Sequence, residues 1–287
     1  MRIVRFDDGA IGVVADGLVH DVSTIAGSDV GAWPPVAMNR LIADFDRLRP
    51  HLEAAIGTVP SKPLAEVSLL TPIPWPNKLM AYPVNYVDHA TEMNSVGFAN
   101  VQGYFLKANS SLVGASDAIV LPNLPTREVH HECELGLVIG KGGRSIPRER
   151  AFEHVFGYAC LIDVVVRGKE ERVFRKSYDS FTPVGPWIVT ADEVPDPNDL
   201  EMKLWVNDDL RQHANTRDLI VSLAEMIEIA SSASTLYSGD IIATGTPAGV
   251  GPIRDGDQVR IEIAHVGSMT LPVVQGEMGW NRVLAAR

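Results

Sequence analysis

The sequence is poor in cysteine, in long apolar runs and in positive charge, and each shortage excludes a class of protein. The only cysteines among its 287 residues, Cys133 and Cys160, lie far apart and lack metal-type spacing, so neither a disulfide framework nor a zinc site is indicated. We expect both to be small buried side chains. No apolar stretch approaches the ~20 residues that span a bilayer, and the first residues lack the apolar core of a signal peptide. We therefore expect a cytoplasmic protein without a membrane partner.

The charge balance is acidic. There are 25 basic and 36 acidic residues, which gives a net charge of −11. Such a balance argues against nucleic acid as a partner. A small anionic substrate remains compatible with it where a metal ion and nearby lysines override the net field. Hydrophobic residues make up 46% of the chain and charged residues 21%, as is typical of a globular protein.

The pattern of apolar residues predicts many short strands and few helices. Residues 1–25 predict a small β meander, and residues 35–55 predict one amphipathic helix. The proline-rich stretch 60–76 marks a boundary, so we predict a small N-terminal α/β domain (1–70) and a catalytic domain (71–287). In the latter, a capping box at Ser222 and Glu225 predicts a helix start among strand-like runs. The expected class is α+β, with a large mixed or mostly antiparallel sheet.

Two glutamates one residue apart are the most informative feature. Glu132 and Glu134 lie in the otherwise apolar run 129–139, which predicts a β-strand. Alternate side chains of a strand share a face, so both carboxylates point the same way, together with His130. Two like charges this close repel unless a cation or a proton lies between them. The alternative is a solvated strand face on which the glutamates have no function.

A third carboxylate strengthens the prediction of a metal site. Asp163 follows the buried-looking strand 156–162 and is a candidate third ligand beside Glu132 and Glu134. Three carboxylates without a cysteine or histidine cluster favour a hard cation, so we expect Mg²⁺ or Mn²⁺, with Ca²⁺ less suitable. We expect His130 to support the site rather than to bind the metal.

Two further segments carry polar groups suited to catalysis. His89 and Glu92 lie three residues apart and would be neighbours on one helical turn, so Glu92 can orient the imidazole as a base toward water. The same spacing is common on solvated surface turns. The glycine-rich run 244–251 can bring backbone N–H groups close to an oxyanion, although it reads equally as a loop with demanding backbone angles.

Together these segments resemble the fumarylacetoacetate hydrolase family. The resemblance covers roughly residues 76–274, and the motifs follow the family's order. They are Asn85-Tyr-x-Asp-His-Ala-x-Glu92, Phe105-Leu-Lys107, Glu132-x-Glu-Leu135, Asp163 with Arg167, Lys176-Ser177, Gly185-Pro-Trp-Ile188, Val206-Asn207 and Gly239-Asp-Ile-Ile-x-Thr-Gly-Thr-Pro247.

The resemblance implies a fold, a reaction and a set of site residues. The fold would be a layered mixed β-sandwich roll with few helices, in a homodimer. The reaction would be metal-dependent hydrolysis of a carbon–carbon bond in a 2,4-dioxo acid, such as an acylpyruvate from aromatic or sugar-acid catabolism. The resemblance implies that Glu132, Glu134 and Asp163 are the metal ligands. It implies that His89, Glu92 and Lys176 are the catalytic residues. The implied substrate contacts are Tyr86, Lys107, Arg167, Gly245 and Thr246.

One segment departs from the family pattern. The interval from Arg167 to Lys176 is shortened, and Glu170 stands nearest to the position of a substrate-binding glutamine, where its charge would repel a carboxylate. The departure bears on substrate identity. Alternative functions at the same metal site are decarboxylation of a 2-oxo acid and isomerisation or hydration of an unsaturated 2-oxo acid. A catalytically silent scaffold is a third alternative, which the His89–Glu92 pair disfavours.

Overall fold

The computed structural model describes residues 1–29, 31–95, 97–124 and 126–277, and within these ranges strands outnumber helices. The strands are β1 (Arg2–Phe6), β2 (Ala10–Ala15), β3 (Leu18–Asp21), β4 (Ser61–Pro63), β5 (Leu69–Leu70), β6 (Leu79–Ala81), β7 (Phe105–Leu106), β8 (Leu112–Val113), β9 (Ile119–Leu121), β10 (Val129–His131), β11 (Cys133–Ile139), β12 (Val155–Ile162), β13 (Val165–Val166), β14 (Thr182–Thr190), β15 (Glu201–Val206), β16 (Asp209–Asn215), β17 (Ile241–Ala243), β18 (Gly251–Ile253), β19 (Gln258–Ile263) and β20 (Gly267–Gln275).

The helices are short. The α-helices are α1 (Ser23–Ala26), α2 (Ala37–Ala43), α3 (Phe45–Ala55), α4 (Val87–Glu92), α5 (Ala99–Gln102), α6 (Arg172–Arg175) and α7 (Leu223–Ala233). The 3₁₀ turns are Leu64–Glu66, Asn109–Ser111, Arg148–His154, Ala191–Glu193 and Thr216–Asp218. None of the helices in the described ranges is long and apolar enough to cross a bilayer.

One large sheet organises the molecule. Its strands follow the order β4-β3-β2-β1-β14-β12-β11-β17-β6-β7, with β5 added beside β1 and β8 beside β14. In this sheet β17 runs parallel to β6 and β14 runs parallel to β8, whereas the other neighbours are antiparallel. Two smaller sheets, β13-β10-β18 and β16-β15-β19-β20-β9, complete the layers. The predicted α+β class with a mixed sheet and few helices is confirmed.

The N-terminal segment extends the main sheet. The predicted meander is present as β1, β2 and β3. β1 pairs antiparallel with β14, so that Ile3 lies opposite Ile188. Residues 1–70 therefore share backbone hydrogen bonds with the remainder of the chain, and the division at residue 70 stays a prediction.

The prediction of one helix over residues 35–55 is wrong in one respect. Two helices, α2 and α3, meet at Asp44, whose ψ of 19° leaves the helical range. The predicted apolar positions are nevertheless buried, including Leu41 and Leu52. The bend at Asp44 lets both short helices pack on the same curved sheet, and a sequence periodicity of 3.6 residues does not reveal such a bend.

The central strand β11 is buried on both faces. Leu135 and Leu137 pack in a core that also contains Met226 of α7 and Ile261 of β19. Val138 faces a second core, formed with helices α2 and α3. The predicted helix start at Ser222 is confirmed, because the Ser222 hydroxyl accepts a hydrogen bond from the backbone N–H of Glu225 at the start of α7.

Strand direction brings the predicted site segments to one end of this sheet. β12 and β17 both run antiparallel to β11, so the ends of β12 and β17 lie beside the start of β11. β6 runs parallel to β17 and ends at the same side. Glu132 and Glu134, Asp163, the loop after Ala243 and the turn that leads into α4 therefore converge there.

Candidate active site

Three carboxylates form a compact buried cluster. Glu132, Glu134 and Asp163 each offer an oxygen within 4.8 Å of the others. They are 6%, 2% and 1% exposed, so the alternative of a solvated strand face is wrong. The predicted continuous strand is also interrupted, because β10 and β11 belong to different sheets and Glu132 lies between them. Both glutamates still line one cavity.

Two lysines surround the carboxylates. The ammonium of Lys176 donates to Glu132 Oε2 at 2.6 Å and also to Asp163 Oδ2. Lys107 donates to Asp163 Oδ1 and to the carbonyl of Phe181. The backbone N–H of Gly245 donates to Glu134 Oε2 at 2.7 Å. Each carboxylate is therefore oriented by a donor from a distant part of the chain.

The pKa values of the two glutamates are shifted in opposite directions. Burial raises the pKa of Glu134 well above its usual value, and the negative charge of Asp163 raises it further. Burial would also raise the pKa of Glu132, but the cations of Lys176 and Arg167 outweigh it and lower that pKa to about 2. A carboxylate that is held near a like charge favours a bound proton or a cation. The cluster consequently suits a divalent ion, since its ligand atoms are all hard oxygens.

The cluster forms one wall of a cavity of about 200 Å³. Such a volume suits a small organic acid rather than a polymer. His89 and Thr246 line the cavity together with the three carboxylates, and the basic side chains in its wall are Arg167, Arg172, Arg175 and Lys176.

His89 and Glu92 form the predicted pair. They lie on α4, and Nδ1 of His89 is 3.1 Å from Oε2 of Glu92. His89 is 6% exposed and faces the cavity. The other carboxylate oxygen, Oε1 of Glu92, accepts a hydrogen bond of 3.1 Å from the backbone N–H of Gly249. Glu92 therefore fixes the imidazole and joins α4 to the glycine-rich loop.

Thr246 is held by a side chain that the sequence did not single out. Gln212 on β16 donates from Nε2 to Thr246 Oγ1 at 2.8 Å and to the carbonyl of Pro247. Its Oε1 accepts from the backbone N–H of Cys133, which fixes the orientation of the amide. Because the Thr246 hydroxyl accepts from Gln212, its own hydrogen is available for a donor bond into the cavity.

His131 completes this network behind the cavity wall. Its Nδ1 lies 3.0 Å from Gln212 Oε1, and it therefore carries the hydrogen of that contact. Burial lowers the pKa of His131 to about 4, so the ring is neutral near pH 7. No sequence signal marked Gln212, since β16 was not predicted as a strand.

Three predicted substrate contacts do not line the cavity. Lys107 lies behind Asp163, and Gly245 lies behind Glu134, where each orients a carboxylate. Gly245 has φ of +95°, and an added Cβ would lie 2.6 Å from Asn85 Cβ. Tyr86 is 2% exposed and has no hydrogen-bond partner for its hydroxyl within the described ranges.

Arg167 reaches the cavity from the side of Glu132. Its NH1 atom lies 4.0 Å from Glu132 Oε1, and its Nε donates to Nδ1 of His130 at 2.9 Å. The NH2 atom is buried and has no hydrogen-bond partner among the described residues. His130 thus supports Arg167 and does not line the cavity, in line with the supporting role predicted for it.

The shortened segment between Arg167 and Lys176 places arginines in the cavity wall, and the predicted Glu170 lies outside it. Glu170 is absent from the cavity wall and forms an ion pair of 2.8 Å with Arg127. Arg172 and Arg175 on α6 line the cavity instead. Burial lowers the pKa of Arg175, and the charge of Arg167 lowers it further. The expected repulsion of a carboxylate by Glu170 is therefore wrong.

The chain is similar along nearly its whole length to proteins of known fold. The family model described as fumarylacetoacetate (FAA) hydrolase, C-terminal, matches residues 78–274. A maleylpyruvate hydrolase from Aquipseudomonas alcaligenes is 43% identical over 285 residues, covering 95% of this chain and 99% of that protein.

Solved structures show the same similarity. The structure of maleylpyruvate hydrolase from Sphingobium sp. SYK-6 in complex with manganese(II) and pyruvate has 56% sequence identity and a TM-score of 0.89, covering 96% of this chain and 100% of that one. A 5-carboxymethyl-2-hydroxymuconate delta-isomerase from Mycobacterium smegmatis has 34% identity and a TM-score of 0.75, covering 96% and 99%. Family match, identity and coverage agree with the motifs, and the chain belongs to the fumarylacetoacetate hydrolase family.

Proposed function

We propose that the protein is a divalent-metal-dependent hydrolase that cleaves a carbon–carbon bond in a 2,4-dioxo acid from aromatic or sugar-acid catabolism. The observation that carries the proposal is one cavity that combines three buried carboxylates with the His89–Glu92 pair. Support comes from two maleylpyruvate hydrolases, one from Aquipseudomonas and one from Sphingobium. The crystal structure of the Sphingobium enzyme contains manganese(II) and pyruvate.

Glu132, Glu134 and Asp163 would hold the metal ion. Their oxygens are close enough to share one ion. Burial first, and then the like charge of Asp163, raises the pKa of Glu134, and a bound cation would stabilise its carboxylate against both effects. Mg²⁺ and Mn²⁺ suit the set, and Ca²⁺ is less suitable because it takes more ligands at longer distances. When bound, the ion supplies Lewis-acid chemistry and a binding point for the substrate's 2-oxo acid oxygens.

His89 is the proposed base. Glu92 holds Nδ1, which leaves Nε2 of His89 to take a proton from water. The resulting hydroxide adds to the C4 carbonyl of the substrate. The Thr246 hydroxyl, oriented by Gln212, and the ammonium of Lys176 are the donors proposed for the oxyanion that forms there.

The reaction balances with one water molecule. The C3–C4 bond breaks, its electron pair passes to the three-carbon fragment as an enolate, and a proton from the His89 imidazolium converts that enolate to pyruvate. The water oxygen remains on the other fragment, which leaves as a carboxylic acid. Arg167, with a buried nitrogen that lacks a hydrogen-bond partner among the described residues, is placed to bind a substrate oxygen.

Isomerisation is the second candidate. The similarity to a delta-isomerase at 34% identity supports it, because proton transfer through an enolate requires the same carboxylates and base. Decarboxylation of a 2-oxo acid that carries a carboxylate on C3, such as oxaloacetate, also proceeds through such an enolate. The three outcomes differ in their products, since hydrolysis gives two fragments, isomerisation gives one product of unchanged mass, and decarboxylation releases CO₂.

Turnover of a small panel separates these functions. Acetylpyruvate, fumarylpyruvate, maleylpyruvate and oxaloacetate are each incubated with Mn²⁺ or Mg²⁺ and then with EDTA, and products are identified by mass. Pyruvate plus a carboxylic acid, lost with EDTA, is the expected result. CO₂ from oxaloacetate alone would favour decarboxylation, and metal-independent turnover would contradict the proposal.

We also propose a homodimer that acts in the cytoplasm. Leu106, Val173 and Phe174 are large apolar side chains 44% to 47% exposed around one shallow surface cavity, which favours burial against a second copy. Both cysteines are buried and free, as predicted, which is typical of a reducing compartment. Light scattering on the wild type and on Phe174→Asp tests the dimer, and a monomeric wild type would contradict it.

A further inference from the structure

The short helix α6 places two arginines in the wall of the catalytic cavity. Arg172 and Arg175 are three residues apart, so their side chains lie on neighbouring positions of one turn. Both line the cavity, and Arg175 directly precedes Lys176, which contacts the carboxylate cluster. The pair therefore faces the same enclosed space as the metal ligands.

Neither arginine side chain forms an ion pair with a carboxylate among the described residues. Arg175 donates from Nε to the carbonyl of Glu170 at 2.7 Å and from NH1 to the carbonyl of Val166 at 3.3 Å. These contacts hold the guanidinium in place without balancing its charge. The guanidinium of Arg172 forms neither a hydrogen bond nor an ion pair with the residues that the structure describes, and its backbone carbonyl accepts from the N–H of Lys176.

Arg175 lies close to two other cations. Its pKa is lowered first by burial and then by the charge of Arg167, with a smaller contribution from Arg172, and the carboxylates of Glu132 and Glu170 offset only part of this lowering. A cation held in this way is stabilised by a bound anion. The planar fork of a guanidinium matches the two oxygens of a carboxylate, so a pair of arginines on one turn suits that group.

The charges in and around the cavity wall also favour an anionic ligand. Its wall carries three carboxylates and four cations, and Lys107 pairs with Asp163 from behind the wall, so a divalent ion on the carboxylates leaves a surplus of four positive charges. A 2,4-dioxo monoacid brings one negative charge, or two as its enolate. A diacid brings two, or three as its enolate, and so offsets more of the surplus.

We propose that Arg172 and Arg175 bind a second carboxylate at the end of the substrate distant from the metal ligands, so that the site selects dicarboxylic over monocarboxylic 2-oxo and 2,4-dioxo acids. The inference deepens the proposed function and rests on it for the identity of the cavity. Ligand binding tests it without turnover.

The test uses two inert 2-oxo acids that differ only at the distal end. Calorimetry measures the affinity of Mn²⁺-loaded protein for 2-oxoadipate, which ends in a carboxylate, and for 2-oxohexanoate, which ends in a methyl group. In the wild type we expect 2-oxoadipate to bind about 10- to 100-fold more tightly. Equal affinities in the wild type would overturn the inference.

Substitutions then locate the effect. Arg172→Met and Arg175→Met should each lower the affinity for 2-oxoadipate by about 10-fold or more and change that for 2-oxohexanoate by less than about 3-fold. Lys169→Met is the matched control, since it removes one positive charge from an exposed position on the same segment outside the cavity wall. A loss of preference in the control, or its retention in both arginine variants, would contradict the assignment.

Arg175→Met also removes the hydrogen bonds of Arg175 to the carbonyls of Glu170 and Val166, so a second variant, Arg172→Lys, is needed. The Arg172 side chain has no hydrogen bond or ion pair to lose among the described residues, so this variant should fold normally. It should keep the charge and lose the two-pronged contact, with an intermediate preference. Steady-state kinetics provide a second measurement. In Arg172→Met, kcat/KM should fall for the diacid fumarylpyruvate more than for the monoacid acetylpyruvate. If Arg172→Met changes kcat/KM equally for fumarylpyruvate and acetylpyruvate while both are still hydrolysed, the diacid site is refuted and the proposed function stands. If the wild type binds neither 2-oxoadipate nor 2-oxohexanoate, the proposed function is refuted as well.

Discussion

Gln212 donates a 2.8 Å hydrogen bond from its side-chain amide to the hydroxyl of Thr246, although the two residues lie 34 positions apart. The same amide accepts a hydrogen bond from the backbone N–H of Cys133, at the start of the strand that carries Glu134. Gln212 thus links the glycine-rich loop to the carboxylate strand. It acts as a positioning residue, because it reaches the cavity only through Thr246.

Replacing Gln212 by Met should impair both stability and turnover. The variant leaves the N–H of Cys133 buried without a partner, so the free energy of unfolding should fall by about 1–3 kcal/mol. With the Thr246 hydroxyl no longer oriented, kcat should also fall by about 10-fold. The measurements are urea unfolding and steady-state kinetics.

A double-mutant cycle with Thr246→Val separates positioning from a purely structural role. If Gln212 acts through Thr246, the effects of the two substitutions on kcat are not additive. Additive losses in kcat would count against the orientation of Thr246 by Gln212.

His89→Ala should abolish the water-activating step while leaving the carboxylate cluster intact. We expect kcat to fall by about 100-fold or more, because general-base catalysis typically contributes that much. Mn²⁺ affinity, measured by calorimetry, should be unchanged. Thr91→Ala is a control on the exposed side of the same helix α4 and should retain activity. Full turnover in His89→Ala would exclude His89 as the base.

Glu134→Gln tests the metal site through stability rather than activity. A ligand that binds the folded state at 100 times its dissociation constant adds about 2.7 kcal/mol to the free energy of unfolding. Mn²⁺ should therefore raise the melting temperature of the wild type, EDTA should reverse the increase, and Glu134→Gln should lose most of it. Glu128→Gln, at a 66% exposed side chain on the same segment, should respond like the wild type. An identical metal response in Glu134→Gln would refute the ligand assignment.

Gly245→Ala should weaken both the fold and metal binding. The residue has φ of +95°, and a Cβ would clash with Asn85 at 2.6 Å, so the loop must shift and its N–H leaves Glu134. We expect a destabilisation of about 1–3 kcal/mol together with reduced Mn²⁺ affinity. Gly256→Ala is matched for backbone strain, with φ of +87°, and no atom of the described residues lies within 4 Å of the added Cβ. Its destabilisation should be smaller, with metal affinity unchanged, and equal metal affinity in both variants would contradict the role of Gly245.

Local patterns in the sequence were sufficient for the features that depend on near neighbours. Alternation along the predicted strand placed Glu132 and Glu134 at one cavity, although the strand is interrupted at Glu132. Helical spacing paired His89 with Glu92, and the capping-box pattern marked the start of α7. Motif order gave the family, whose model matches residues 78–274. The α+β class followed from the frequency of short apolar runs.

Only the tertiary structure decided the features that depend on distant neighbours. Antiparallel pairing across the large sheet brought Asp163 to Glu132, and the hairpin of β15 and β16 brought Gln212 to Thr246. Glu170 pairs with Arg127, 43 residues away, and lies outside the cavity wall, whereas Arg172 and Arg175 line it. Periodicity fixes which face a side chain occupies, but strand order and register fix what that face meets, and neither is encoded in the spacing of nearby residues.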